Sequence, residues 1–182
     1  MLVRAAEAVQ LRRPGALVLV LRRRQQFGSR LFFPVLLESA IYALTMGSLI
    51  IHVMGFIGII PALALAAAVR PLEQGLATRL VLSIGAGVHE ELVFRLIMLS
   101  AVIWLLGVFT AQRWLVVLLA FVFTALIFSA AHHVVGGEPW HVGVFVYRFF
   151  CGLVFAAIFR WRGFAVAVYT HALYDIFVMV CR

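Results

Sequence analysis

The chain has 182 residues, 65% hydrophobic and 12% charged, with a mean hydropathy of +1.12, a usage that excludes an ordinary soluble domain. Its formal charge of +8 comes from arginine alone, since lysine is absent. The arginines crowd the N-terminal flank of an apolar chain, so a membrane surface is expected as their partner and nucleic acid is not.

Residues 1–30 carry Arg4, Arg12, Arg13, Arg22, Arg23, Arg24 and Arg30 around one short apolar run, Ala16 to Leu21. That run is too short to span a bilayer, and the region reads as a basic membrane-surface flank or a disordered arm. From Leu31 to Val69 the chain is apolar, with Glu38 its only formal charge. A helix of that length would reach about 58 Å, roughly twice a hydrocarbon core of about 30 Å. Two accessory spans are therefore expected, with a turn near His52-Val53-Met54-Gly55 and Pro61 kinking the second. One span plus a re-entrant piece is the alternative. Arg70 to Gly75 reads as a polar loop and closes an accessory region over 31–79.

Residues 80–182 then read as a four-helix catalytic core. Its spans are expected over Leu80 to Leu106, Trp114 to Ala131, Val142 to Phe159 and Phe164 to Cys181. They are separated by Gln112-Arg113, by a loop from His132 to His141, and by the basic turn Arg160 to Gly163. Trp104, Trp114, Trp140 and Trp161 all fall near span ends, as an interfacial belt requires. Cys151 and Cys181 both lie in apolar segments and form neither a disulfide framework nor a thiolate metal site. The expected fold is an all-α polytopic membrane helical bundle of about six transmembrane helices with an intramembrane catalytic cavity. Both termini would be cytoplasmic, which puts Arg113, Arg160 and Arg162 on the outer face, against the usual bias.

The stretch Val88-His89-Glu90-Glu91-Leu92-Val93-Phe94-Arg95 places three formal charges inside an otherwise apolar span. Each costs about 2.5 to 3.5 kcal/mol near a bilayer midplane, so such groups pair or line a functional site. Counting residues along alternating helices puts Glu90, Glu91, His171 and Asp175 at similar depth, with His132 nearer the surface above them. Spacing of four puts Glu91 with Arg95 on one helix face and His171 with Asp175 on another. Glu90 and Glu91 point about 100° apart and cannot share one task. The simplest division pairs Glu91 with Arg95 and leaves Glu90 to the cavity as a general base for water. His132, His171 and Asp175 would then orient that water or stabilise an oxyanion.

The set EExxxR (Glu90, Glu91, Arg95), FxxxH (Phe128, His132) and HxxxD (His171, Asp175) resembles the three motifs of the CPBP family. These are intramembrane endopeptidases of the CAAX-protease and bacteriocin-processing type. The resemblance covers about Leu80 to Arg182 and leaves 1–79 outside it. It implies a protease that hydrolyses a peptide bond of a membrane-embedded or membrane-tethered protein or peptide precursor, in the bacterial inner membrane. Carried over residue by residue, it implies Glu90, His132, His171 and Asp175 as the catalytic set, with Glu91, Arg95 and Phe128 as support. The family more often has Asn where this chain has Asp175. No cofactor is expected; zinc held by His132, His171 and Asp175 is the alternative.

Other protease chemistries fail on the residues. His89-Glu90 opens like HExxH, but Val93 stands where the second histidine belongs. Asp175 is the only aspartate, so an aspartate dyad is excluded, and no GxSG loop occurs. The rival readings are an inactive scaffold or immunity protein of the same fold and a small proton-coupled transporter. His52, His89, His133 and His141 read as ordinary helix-end or loop histidines. Arg148 reads as a structural partner for Glu38, Glu91 or Asp175, and Gly85-Ala86-Gly87 as a site of close helix packing.

Overall fold

In the computed structural model the described residues are 29–59, 75–135 and 140–180, and they are helical almost throughout, with no strand among them. A lipid-embedded backbone has no water to bond, and a helix satisfies every interior amide within itself. α1 covers Ser29–Phe56. A continuous helix of 34 residues, Leu76–Phe109, follows. It changes character on the way, with α2 over Leu76–Glu90, a π-helical stretch over Glu91–Leu99 and α3 over Ser100–Phe109. α4 is Arg113–Val134, α5 is Val142–Arg162 and α6 is Phe164–Val180. Four of these helices are long and apolar enough to cross a membrane, and α6 is a shorter apolar helix. The protein is an all-α, multi-pass membrane helical bundle.

Five such helices stand among the described residues, where the sequence leads one to expect about six. The expected second span, over 57–69, falls mostly outside the described residues. So do the flank at 1–28, Pro61, most of the two polar loops at 70–75 and 136–139, and Cys181. α1 is longer than expected: it continues through His52–Gly55, and the chain turns only at Ile57 and Gly58. The reason is local. His52 Nδ1 donates to the Ser48 carbonyl one turn back, at 2.7 Å, and Met54 is fully buried, so both residues are held within the helix.

Short connections fix the helix directions. Gly163 alone separates α5 from α6; its φ of +93° is open to glycine and strained for other residues. Its N–H closes on the Ile158 and Phe159 carbonyls, which ends α5 and reverses the chain. α4 and α5 are antiparallel, with Ser129 Oγ donating to the Phe145 carbonyl at 2.6 Å and Gly152 packed against Ala125. Helices after α1 therefore alternate. α1 runs parallel to α6: Ser39 Oγ donates to the Val166 carbonyl at 3.4 Å, and further along both helices Gly47 abuts the Tyr174 ring. Consequently α1 and α2 run in opposite senses, and the end of α1 lies on the same face as the start of α2.

The long helix buries Ser83 and Gly87 from α2 and Glu91, Arg95 and Leu99 from the π-helical stretch. Those positions recur every four residues. In an α-helix each step of four overshoots a turn by about 40°, so a strict four-residue seam would wind off the bundle. The looser π winding, with i→i+5 bonds and roughly 80° per residue, undershoots a turn and returns the seam. The opposite face of this helix carries exposed apolar side chains such as Val81, Ile97 and Val108, as lipid contact requires.

Candidate active site

At the floor of the site lie two fully buried ions. Arg95 Nη1 stands 3.1 Å from Glu91 Oε1, with 2% and 0% of the two side chains exposed. The guanidinium lies over the Phe128 ring at 4.3 Å and within 5.8 Å of the Phe94 and Phe155 centroids. Three aromatic faces thus take the place of water around the cation. Nη2 also donates to the Gly152 carbonyl at 3.4 Å. Gly152 comes this close because its Cα packs on Ala125, where an added Cβ would meet backbone at 3.0 Å.

Glu91 has a second partner that helical spacing does not reveal. Its Oε1 accepts from His171 Nδ1 at 2.8 Å. The imidazole stacks on Phe155 with centroids 4.3 Å apart and planes 15° from parallel, so its orientation is fixed from two sides. His132 is held in the same manner: its Nδ1 donates to the Phe128 carbonyl at 2.9 Å, and its ring meets Phe128 edge to face at 4.7 Å. A carbonyl and an ion-paired carboxylate can only accept, so each Nδ1 carries the proton. In the neutral imidazoles both Nε2 atoms are therefore acceptors.

Both Nε2 atoms face Glu90. Glu90 Oε2 is 3.7 Å from His132 Nε2 and 3.7 Å from His171 Nε2, too far for direct hydrogen bonds. Asp175 Oδ2 approaches His171 Nε2 at the same distance. Glu90 Oε2 is buried and has no hydrogen-bond partner. The cluster is thus a ring of acceptors around a gap, and a water donating two protons is what such a ring binds. Exposure grades across it: Glu90 is 22% exposed and His132 and Asp175 15%, against 3% for His171 and 0% for Glu91.

Gly87 brings the carboxylates to the histidine. A Cβ there would meet Ala172 backbone nitrogen at 2.9 Å, so α2 and α6 touch at the residue beside His171 and one turn before Glu91. Among the residues considered for zinc, His132, His171 and Asp175, the imidazole tautomers leave nitrogen lone pairs toward the gap. Among the described residues, however, no three of His, Cys, Asp or Glu are arranged to hold one ion.

The structure brings Glu90, His132, His171 and Asp175 together from α2, α4 and α6, and sets Glu91, Arg95 and Phe128 beneath them. Phe155, which completes the floor with Gly152, carries no sequence signal beyond its apolar span. Two partners considered for Arg148 are taken by other arginines: Glu91 by Arg95, and Glu38 by Arg162, whose Nη2 donates to Oε2 at 2.7 Å. Tyr42 OH donates to Glu38 Oε1 at 2.9 Å. His133 stacks on Phe145 and meets Trp140 edge to face at 5.0 Å, a packing role that agrees with its ordinary reading. Gly85 meets no neighbour within 4 Å, so the close packing expected of Gly85-Ala86-Gly87 falls on Gly87.

No curated protein and no solved structure matches the chain. A family model described as type II CAAX prenyl endopeptidase Rce1-like matches residues 71–177. That is more than half of the sequence, and it includes every residue of the polar cluster. The chain belongs to the Rce1-like family of type II CAAX prenyl endopeptidases.

Proposed function

We propose that the protein is an intramembrane endopeptidase of the bacterial inner membrane that hydrolyses a peptide bond of a membrane-embedded or membrane-tethered substrate. Glu90 takes a proton from a water held in the gap as the water oxygen attacks the scissile carbonyl carbon, and returns that proton to the amide nitrogen as the C–N bond breaks. One of the water's protons goes to Glu90 and the other is accepted by an imidazole Nε2, that of His132 or His171, while Glu91 keeps His171 in its tautomer. Asp175 borders the same gap from α6. A carboxylate cannot donate to an oxyanion, and His171 Nε2 is likewise an acceptor, so Asp175 meets His171 through the water between them. Family membership supports proteolysis in general; a prenylated substrate end is not part of the proposal.

The observation that carries this reading is Glu90 Oε2, buried without a partner and 3.7 Å from two imidazole nitrogens on different helices. Glu91, by contrast, has a guanidinium and an imidazole N–H on its Oε1, and Glu90 Oε2 has neither within bonding distance. We also propose that the water is activated without a metal, since a positioned carboxylate and two oriented imidazoles suffice for general-base chemistry. The test compares membrane proteins from cells carrying wild type and Glu90→Gln. A precursor that accumulates only with the variant is expected, and identical peptide profiles with both proteins well folded would overturn the protease reading. Cleavage that survives exhaustive chelation is expected; loss restored by zinc would replace the metal-free version with a zinc site at His132, His171 and Asp175.

A further inference from the structure

Two carboxylates converge on one imidazole nitrogen. Glu90 Oε2 and Asp175 Oδ2 each stand 3.7 Å from His171 Nε2, in a site largely closed to water, where repulsion between like charges is weakly screened. Arg95 does not offset that repulsion, because it is spent on Glu91 beneath. The arrangement calls for a second cation near Asp175.

Arg148 lies where such a cation would act. It precedes Gly152 by four residues and Phe155 by seven, so the three share one face of α5. That face lines the site, since the Gly152 carbonyl accepts from Arg95 and Phe155 stacks on His171. On α6, His171 and Asp175 share a face by the same spacing. α5 and α6 run antiparallel about Gly163, and the Tyr147 and Tyr174 hydroxyls bond each other across the seam. In an antiparallel pair the residues that follow two facing positions turn to the same side, so Arg148 and Asp175 emerge together on the side of the gap. Counted from the Phe155–His171 stack, Arg148 is about 10 Å and Asp175 about 6 Å along their helices in the same direction, a difference that the long arginine stem spans. The Arg148 charge accordingly acts on Asp175 and on Tyr174 beside it. Of the partners considered for Arg148, Glu91 and Glu38 are held by Arg95 and Arg162, which leaves Asp175.

We propose that Arg148 is a positioning residue of the site, the counter-charge that holds the Asp175 carboxylate at the gap beside Glu90. It acts through Asp175 and touches neither the water nor the scissile bond. Without it, repulsion from Glu90 turns Asp175 away, and the water loses its partner on α6. Among the described residues, Arg95 and Arg148 are the arginines set more than one turn inside a helix, so no other described arginine can take over the task. The effect on cleavage rests on the protease reading, whereas the coupling of Arg148 to Asp175 does not.

A double-mutant cycle of Arg148→Met and Asp175→Asn tests this. Each variant is read twice, by its melting temperature in detergent and by kcat and KM on the precursor that accumulates with Glu90→Gln. Arg148→Met is expected to lower the melting temperature by about 3 °C or more. It should lower kcat about tenfold or more and leave KM within about twofold. Both losses should vanish when Asp175→Asn is already present, and Arg148→Lys, which keeps the charge, should retain most of the turnover. Losses from Arg148→Met that are the same with and without Asp175→Asn overturn the proposal, as does wild-type turnover in Arg148→Met. Should Arg148→Met fail to accumulate in membranes, the double variant should recover in abundance, and its failure to recover overturns the proposal as well. If wild type and Glu90→Gln give identical peptide profiles, the protease reading falls, and the melting-temperature cycle still decides for or against the counter-charge.

Discussion

Glu90 and Glu91 are the same residue type on consecutive positions of one helix, and their surroundings could hardly differ more. Glu91 is closed off, with Arg95 and His171 on its Oε1; Glu90 is 22% exposed, and its Oε2 stands 3.7 Å from two imidazole nitrogens without bonding either. About one residue of helix rotation separates a carboxylate fixed by two partners from one left free to take a proton. What assigns the roles is where the buried seam passes. Position 91 belongs to the series Ser83, Gly87, Glu91, Arg95 and Leu99, and position 90 lies just off it.

The sharpest test of that contrast removes each carboxylate in turn. Glu90→Gln keeps shape and loses the base, so cleavage should fall by about 10² to 10⁴ with no change in melting temperature in detergent. Glu91→Ala or Arg95→Ala strands a buried ion, and each should destabilise by about 3 to 5 kcal/mol, seen as low abundance and a lowered melting temperature. Full activity in Glu90→Gln together with a folded, inactive Glu91→Gln would reverse the division of labour.

Gly87→Val tests whether helix proximity, rather than either acid, sets the site. Its Cβ meets the Ala172 backbone nitrogen, which cannot swing aside, and overpacking of this kind costs about 1 to 3 kcal/mol. Turnover should drop more than stability does, because the shift separates Glu90 from His171. Equal activity with wild type would mean that α2 and α6 can part without harm. The smallest effect is expected at His133→Ala, a residue of the aromatic contact with Phe145 and Trp140. Its cleavage rate should stay within twofold of wild type, against the loss expected of His132→Ala.

Whatever depends on spacing along one helix was legible in the sequence. The four-residue separations of Glu91 with Arg95, Phe128 with His132 and His171 with Asp175 each became a contact. Contacts between helices were not legible, because nothing in the residue order tells which face of α6 meets α2. The Glu91 to His171 bond and the stacking of Phe155 on His171 belong to that class. So does Glu38 with Arg162, far apart in the chain. α1 runs through the turn expected at His52 to Gly55, because a histidine and a glycine within an apolar run look like a turn, whereas burial of Met54 holds the run helical.

The π-helical stretch also decides which length changes this chain can absorb. A nine-residue segment wound on i→i+5 bonds carries slack that an α-helix lacks. Loss of one residue among Leu96, Ile97 and Met98 could be taken up by tightening toward α winding, leaving Gly87, Glu91 and Arg95 in their places and rotating only the lipid-facing end at Trp104. Loss of one residue between Glu91 and Arg95 has no such refuge, since it swings the guanidinium out of its three-ring cage. Indels in relatives of this protein should therefore collect on the α3 side of Arg95.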